Sequence, residues 1–174
     1  MKNINLPFTQ EIVDSLKAGD ELLLSGLLYT ARDAAHKRLC VSIEKGEELP
    51  VDLTKSTIYY CGPTPAAPSK IIGSCGPTTA KRMDSFTPQL LSKGLKVMIG
   101  KGNRSEDVVN AIQENNAVYL TAIGGAAAYL AKRVKGSRVV AYSDLGPEAI
   151  YELRVENFPV TVAIDSKGNN IYDE

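Results

Sequence analysis

Short strands and helices alternate along the second half of the chain, and this alternation restricts the fold more than any other feature of the sequence. Each apolar run of strand length is followed within a few residues by a run of helical length. Alternation at this spacing predicts a layered α/β domain with a largely parallel sheet and short helices. The predicted order is strand LKVMIG (95–100), helix SEDVVNAIQENN (105–116), strand AVYLTAI (117–123), helix GGAAAYLAKRV (124–134) and strand RVVAYSD (138–144).

The first half predicts further elements of the same kind, with one irregular segment among them. PTPAAPSK (63–70) holds three of the nine prolines, so it is predicted to be a loop and is the candidate for an internal hinge. We expect residues 1–174 to form a single domain. The other predicted elements are a helix at 9–20 with Thr9 as N-cap, strands at 21–31, 57–62 and 70–75, a helix at 32–48, a helical stretch from Thr78 to Lys93 that restarts at Thr87-Pro88, and a hairpin that turns at Ser166–Gly168.

The charge balance excludes a general attraction to polyanions. Lysine and arginine total 20, as do aspartate and glutamate, so the formal net charge is zero. We therefore expect no nucleic acid and no membrane as partner, and any bound anion must be held by a local cluster of cations. The first residues lack the apolar stretch of a signal peptide, which predicts a cytoplasmic protein.

The cysteines do not form a recognisable ligand set. Cys40, Cys61 and Cys75 lie far apart, and no CxxC motif is present. An odd number of cysteines indicates reduced thiols in a cytosol-like compartment. One histidine and three scattered cysteines do not make a self-contained metal site, so no metal ligand is predicted in this chain.

The stretch GSCGPTTAKRMD (73–84) is the first candidate site. A predicted strand ends there at a Gly-Pro turn, and a predicted helix begins at Thr78, which places Thr78 and Arg82 on one face at i and i+4. A hydroxyl, unpaired backbone N–H groups and a guanidinium around one point would bind a carboxylate. The alternative is that Thr78 only caps the helix and that Arg82 is a solvated charge.

Three further stretches place useful residues directly after predicted strands, where ligand sites in α/β sheets lie. RDAAHKR (32–38) contributes Arg32, and KGN (101–103) contributes Lys101 between two glycines. The turn AIGG (122–125) allows close backbone approach but lacks the full dinucleotide-binding fingerprint. The alternatives are a solvated helical turn, a flexible loop before a helix capped by Ser105, and tight helix–sheet packing, respectively.

Three of these cations share one relation to the predicted sheet. Arg32, Arg82 and Lys101 each follow a strand, so all three can meet at one end of the sheet. Three cations around one point, in a chain of zero net charge, suit a small dicarboxylate.

Several stretches resemble one family, the β subunit or C-terminal domain of iron–sulfur class I fumarate hydratases. The resemblance covers nearly the whole chain in the same order, and GPTT-x-x-RMD together with KGNRS is a specific combination. The matching stretches are RDAAHKR (32–38), YYCGP (59–63), GPTTAKRMDSF (76–86), IGKGNRS (99–105), AIGGAAA (122–128) and VENFPVTVAIDSKGN (155–169).

The resemblance implies a swivelling β/β/α domain and a division of labour between two polypeptides. A separate α subunit is expected to carry the cysteines of a 4Fe–4S cluster, whose open iron acts as a Lewis acid on the substrate. This chain would close over that cluster as the β subunit of a heteromer, a dimer of αβ pairs, that interconverts fumarate and (S)-malate.

The resemblance also implies roles for individual residues. Arg32, Arg82 and Lys101 resemble the family's substrate-binding cations, and guanidinium forks suit carboxylates. Thr78 resembles the threonine proposed to take the C3 proton; the alternative is that it orients a carboxylate or a water molecule. The residues expected to support these four are His36, Thr79 and Gly125.

Two other functions remain open at this point. Tartrate dehydratase β subunits share the GPTT-x-x-RM pattern, so a dehydratase for tartrate or another 2-hydroxy diacid is the alternative within the same class of enzyme. From a different class, the chain would be a stand-alone anion-binding module that uses the predicted helix terminus at Thr78.

Overall fold

The computed structural model describes residues 1–122 and 127–173. Within these residues the chain forms a mixed α/β fold, with one sheet of seven strands and several short helices. None of the helices described is long and apolar enough to cross a membrane.

The strands and helices follow one another closely along the chain. The strands are β1 (Lys2–Asn5), β2 (Glu21–Thr30), β3 (Thr57–Tyr59), β4 (Val97–Gly100), β5 (Val118–Thr121), β6 (Val134–Ala141) and β7 (Ile150–Ile164). The α-helices are α1 (Gln10–Ser15), α2 (Asp33–Glu44), α3 (Thr87–Ser92), α4 (Glu106–Glu114) and α5 (Ala127–Ala131). Short 3₁₀ helices occupy Leu53–Lys55, Ala80–Met83 and Ser143–Glu148.

The longest strand, β7, closes the sheet on itself. Strands β1 to β5 pair in parallel, each with the next along the chain. Strand β7 pairs antiparallel with β5 and with β2, so β2, β3, β4, β5 and β7 form a ring, and β6 pairs with the first part of β7. The described sheet therefore has four parallel and three antiparallel pairings. The strand–helix alternation predicts a largely parallel sheet, and the described sheet has a smaller fraction of parallel pairings than that.

Alternating side chains of the ring divide the core into two parts. On one face, apolar residues from every strand of the ring form a single cluster, in which the rings of Tyr59 and Phe158 meet edge to face at 5.3 Å. The opposite face, which includes Ile58, Met98 and Tyr119, packs against α2, α3 and α4. This period-2 alternation allows each strand to bury both of its faces.

Two helix starts agree with the local sequence. The Thr9 hydroxyl accepts a hydrogen bond from the Ile12 N–H at 3.1 Å, and the Ser105 hydroxyl accepts one from the Val108 N–H at 3.3 Å. Both predicted N-caps are therefore confirmed. The restart predicted at Thr87-Pro88, with Thr87 as the N-cap, is wrong by one position, because Phe86 occupies the cap and Thr87 is already helical.

The predicted strand at 70–75 is wrong. Its backbone hydrogen-bonds to the proline-rich loop: the Gly73 N–H donates to the Thr64 carbonyl, and the Thr64 N–H donates to the Ser74 carbonyl. A Cβ on Gly73 would lie 2.2 Å from the Thr64 hydroxyl oxygen, so the two segments pack closely. The segment folds against the loop, and its apolar residues do not form a strand of the sheet.

The first part of β7 was not predicted, because two residues interrupt its strand pattern. Asn157 has φ +52°, and Pro159 lies opposite Leu23 of β2. A shift of register between Leu24 and Gly26 accommodates this irregularity, as a β-bulge does. The predicted C-terminal turn is present, since Gly168 has φ +85° and the Asp165 carboxylate accepts hydrogen bonds from the Lys167 and Asn169 N–H groups.

Candidate functional site

The carboxyl ends of β2, β3 and β4 lie side by side. Tyr59 of β3 is in register with Thr30 of β2 and with Ile99 of β4. The pairing continues past the strand ends, where the Ala31 N–H donates to the Tyr59 carbonyl and the Tyr60 N–H donates to the Ile99 carbonyl. The segments that follow the three strands therefore emerge at one edge of the sheet.

Residues 78–80 are held against this edge by backbone hydrogen bonds. The Thr78 N–H donates to the Tyr60 carbonyl at 2.7 Å, and the Lys101 N–H donates to the Thr78 carbonyl at 3.2 Å. The Ala80 N–H donates to the Lys101 carbonyl at 2.9 Å, and Thr79 forms a parallel bridge with Lys101. The structure thus brings Thr78 and Lys101 together.

The predicted helix N-terminus at Thr78 is wrong. Both backbone groups of Thr78 take part in sheet-like pairing, so this residue does not begin a helix. The helix that follows is a 3₁₀ turn at Ala80–Met83, and its cap residue Thr79 makes no side-chain capping bond. Thr78 is half-buried and Thr79 is exposed. Thr78 and Arg82 therefore do not share one face of a helix. The backbone pairing with Lys101 positions Thr78 instead.

Arg82 is linked to the first turn of α2. Its Nε donates to Asp33 Oδ2 at 3.3 Å, and its Nη2 donates to Asp33 Oδ1 at 3.0 Å. The two side chains are 48% and 38% exposed. A guanidinium has five N–H donors, so this pairing leaves donors for a ligand. Because Asp33 directly follows Arg32, the ion pair also brings the two arginine-bearing segments together.

Arg32 packs against the turn that follows β3. A Cβ on Gly62 would lie 2.6 Å from Arg32 Nη1 and 2.9 Å from its Cδ, so a side chain there would displace the arginine. Arg32 Nε is buried and has no hydrogen-bond partner among the described residues. A buried donor without a partner costs free energy, and such a group is satisfied when a ligand or partner supplies an acceptor.

His36 lies buried behind this edge. Its Nδ1 is 2.7 Å from the Arg32 carbonyl oxygen, and its ring meets the Tyr60 ring edge to face at 5.3 Å. Burial lowers the pKa of His36 to about 4. The imidazole is therefore neutral at pH 7, and the geometry ties it to the backbone of Arg32.

Asp84 and Arg104 join two of the motif stretches, and neither is among the site residues predicted from the sequence. Arg104 Nε donates to Asp84 Oδ1 at 2.7 Å, and the Ser105 N–H donates to Asp84 Oδ2 at 2.7 Å. The two residues are opposite charges within GPTTAKRMDSF and KGNRS, but no local pattern shows that groups 20 positions apart form a pair.

The described residues do not fit a metal cluster. No group of three His, Cys, Asp or Glu side chains there could hold a metal ion. The Cys61 and Cys75 sulfurs lie 3.4 Å apart in the core, and their hydrogen bond together with burial raises the pKa of the Cys61 thiol. A neutral buried thiol is a poor metal ligand, since metals bind the thiolate. Gly125 lies outside the described residues.

A cavity of about 600 Å³ lies elsewhere, between residues 64–74 and α5. Its lining includes Lys70, Ile71 and Lys132, and none of the predicted site residues. Arg32, Arg82 and Lys101 therefore lie outside this cavity.

The low pKa of His36 predicts a pH dependence of stability. The unfolded chain, with a histidine pKa of about 6.5, binds more protons than the folded chain between about pH 4 and pH 6.5, so stability rises with pH across this window and falls on acidification. Because His36 is the single histidine, its ring signals in NMR spectra are unambiguous, and they should titrate near pH 4. An inflection of the His36 ring signals near pH 6.5 would contradict this prediction. The control is His36→Gln, which should lose less stability on acidification than the wild type.

Comparison with known proteins identifies the family of the chain. Residues 1–174 match the family model described as Fumarase C-terminus. The putative L(+)-tartrate dehydratase subunit beta of Methanocaldococcus jannaschii is 41% identical over 172 residues, which cover 95% of this chain and 88% of that protein. The aerobic class I fumarate hydratase of Salmonella typhimurium is 40% identical over 177 residues, covering 99% of this chain and 30% of that protein.

The anaerobic class I fumarate hydratase of Escherichia coli is 43% identical over 155 residues, covering 88% of this chain and 28% of that protein. The chain thus spans about 30% of the length of the fumarate hydratases it matches. The resemblance seen in the sequence motifs is confirmed, and the chain belongs to the Fumarase C-terminus family.

Proposed function

We propose that this chain is the β subunit of a hydro-lyase that interconverts fumarate and (S)-malate and that is active only together with an α subunit. The observation that carries the proposal is the meeting of the segments that bear Arg32, Arg82 and Lys101 at one edge of the sheet. A substrate with two carboxylates requires several cations at one place, and the chain has no net charge to attract it otherwise.

The three cations have different chemical roles in this proposal. Arg82 and Arg32 offer planar guanidinium donors that bind a carboxylate through two parallel hydrogen bonds. Lys101 supplies a compact charge on a segment that is bonded directly to Thr78. Together they would hold both carboxylates, so that the C2–C3 bond of the substrate lies over the Thr78 hydroxyl.

We assign proton transfer at C3 to Thr78, with orientation of a carboxylate or a water molecule as the alternative. A threonine hydroxyl is a weak base, so the role requires a site that favours its ionised form. Lys101, whose backbone bonds to that of Thr78, supports such a shift, since positive charge favours an alkoxide. Thr78 is half-buried, and a covering partner would exclude water from it.

A 4Fe–4S cluster in the α subunit is part of this proposal. The name of the Methanocaldococcus jannaschii relative describes a separate beta subunit, which supports a separate partner for this chain as well. The exposed Arg82–Asp33 pair at the sheet edge supports an open surface for that partner.

We propose a dimer of αβ pairs, with residues 1–174 as one swivelling β/β/α domain and residues 63–70 as its hinge. The free thiols Cys40, Cys61 and Cys75 support a cytoplasmic location.

The second candidate is the β subunit of an L(+)-tartrate dehydratase or of a dehydratase for another 2-hydroxy diacid. Its support is the coverage of 88% of the Methanocaldococcus jannaschii tartrate dehydratase subunit, against 30% of the Salmonella fumarate hydratase. The same three cations suit either diacid, so the choice depends on substrate turnover.

The proposed function is tested by purifying the chain alone and with a co-expressed α subunit, in the absence of oxygen. Hydration of fumarate by the pair and not by the lone chain is the expected result. Dehydration of tartrate in place of fumarate hydration would support the second candidate. Tight dicarboxylate binding by the lone chain, with no turnover in the pair, would contradict both and leave a stand-alone anion-binding module.

Replacing Arg82 tests the role of the cation cluster. Arg82→Ala should lower kcat/KM of the αβ complex by about 100-fold or more, because a bidentate carboxylate contact is lost from the transition state. Steady-state kinetics with fumarate measures this. The matched control is Arg138→Ala, which removes another exposed arginine with a carboxylate partner, Glu152. A near-normal rate in Arg82→Ala would remove this residue from the site.

Replacing Thr78 separates proton transfer from substrate binding. Thr78→Val keeps the shape and removes the hydroxyl, so kcat should fall by about 100-fold or more while substrate affinity changes little. Thr78→Ser retains a hydroxyl and serves as the control, with most of the activity retained. An unchanged kcat in Thr78→Val would make this threonine structural.

A further inference from the structure

Arg104 is a fully buried cation directly below the candidate site. Its side chain is 0% exposed, and its Nε donates to Asp84 Oδ1 at 2.7 Å. Its Nη2 donates to Thr87 Oγ1 at 2.9 Å and to the Tyr60 hydroxyl at 3.2 Å. The guanidinium also lies over the Tyr119 ring, 4.7 Å from its centroid. One side chain thus contacts three separate parts of the chain, around residues 60, 84–87 and 119.

Two of the polar contacts of Arg104, those with Asp84 and Tyr60, connect it to segments of the site. Asp84 lies two residues after Arg82, in the cap position that follows the 3₁₀ helix. Tyr60, whose hydroxyl accepts from Arg104, also uses its backbone carbonyl to accept from the Thr78 N–H.

The loop that carries Arg104 is itself part of the site. It begins at Lys101, whose backbone bonds to Thr78 and Ala80. Its end is fixed by the Ser105 N–H, which donates to the second oxygen of Asp84. The Arg104–Asp84 pair therefore connects the Lys101 loop with the Arg82 segment.

The charges of the buried Arg104–Asp84 pair indicate a role beyond filling space in the core. Burying two charges is expensive, and replacing a buried ion pair with apolar residues of similar size is often neutral or stabilising. A guanidinium differs from an apolar side chain in the fixed directions of its donors, which here fix the relative positions of three segments. A pair that adds little stability but fixes geometry is most useful where distances between functional groups matter.

We infer that Arg104, held by Asp84, is a positioning residue that sets the spacing between Lys101, Thr78 and Arg82. This inference rests on the proposed function of the same site. Arg104 itself is buried and does not touch the substrate in this role.

The test uses the αβ complex and the double variant Asp84→Leu/Arg104→Met, which replaces both charges with apolar groups. We expect kcat/KM for fumarate to fall by about 100-fold, with both a lower kcat and a higher KM, since small displacements of substrate-binding groups cost about this much. The double variant also removes the partners of the Ser105 N–H and the Tyr60 hydroxyl, which lowers the thermal midpoint, so kcat/KM is compared per folded complex. Arg104→Lys keeps the positive charge but not the planar guanidinium with its fixed donors, so this variant should keep only part of the wild-type activity.

The control for these variants is Arg154→Met, which removes an exposed arginine that bonds to the Lys135 carbonyl far from this network. A purely structural role for Arg104 would lower the thermal midpoint and the yield of complex, and would leave kcat/KM per folded complex unchanged. That result would overturn the inference.

A second measurement does not depend on activity. Hydrogen exchange of the double variant should be faster at the Thr78, Ala80 and Lys101 N–H groups and unchanged along β7. If the wild-type complex fails to hydrate fumarate, the proposed function fails, and this exchange pattern still reports on positioning. Unchanged exchange at these three N–H groups would overturn the inference on its own.

Discussion

The pairing of β7 with both β2 and β5 is the constraint on which the rest of the structure depends. One strand of 15 residues joins the first and last parallel strands of the ring. Closure removes two open sheet edges and encloses an apolar cluster. The carboxyl ends of β2, β3 and β4, where the candidate site lies, are held side by side by their own parallel pairings within this ring. The candidate site thus lies at one end of the ring that encloses the core.

The elements that the sequence predicted correctly are those with local signals. The N-caps Thr9 and Ser105 are specified by hydrogen bonds within four residues, and the buried strands are specified by continuous apolar runs. The predictions are wrong where hydrogen bonds to residues distant in sequence determine the local structure. Residues 70–75 have the apolar pattern of a strand but bond to the loop at Thr64. The backbone of Thr78 pairs with Tyr60 and Lys101, which no local pattern near Thr78 shows.

The same distinction applies to the candidate site. The meeting of the segments that bear Arg32 and Lys101 follows from one topological rule, because both segments come directly after parallel strands of the sheet. Arg82 follows no strand, and its segment is joined to them by the ion pair with Asp33. The partners of these cations did not follow from that rule. Asp33 binds Arg82 and Asp84 binds Arg104 across separations of 49 and 20 residues, and the register that makes these pairs exists only in the folded chain. The sequence therefore indicated candidate residues, but not the contacts that hold their segments together.

The two Arg–Asp pairs near the site differ in burial, and burial gives them opposite roles. The Arg82–Asp33 pair is 48% and 38% exposed, and a pair in such surroundings contributes about 0–1 kcal/mol, so a carboxylate ligand can replace or share Asp33 at little cost. The Arg104–Asp84 pair is 0% and 12% exposed, and removing one of its members leaves a buried charge without compensation. The exposed pair can therefore exchange partners during binding, whereas the buried pair cannot. Under the proposed function, Arg82 would be released to a substrate while Lys101 and Thr78 stay in place, and this requires both kinds of pair.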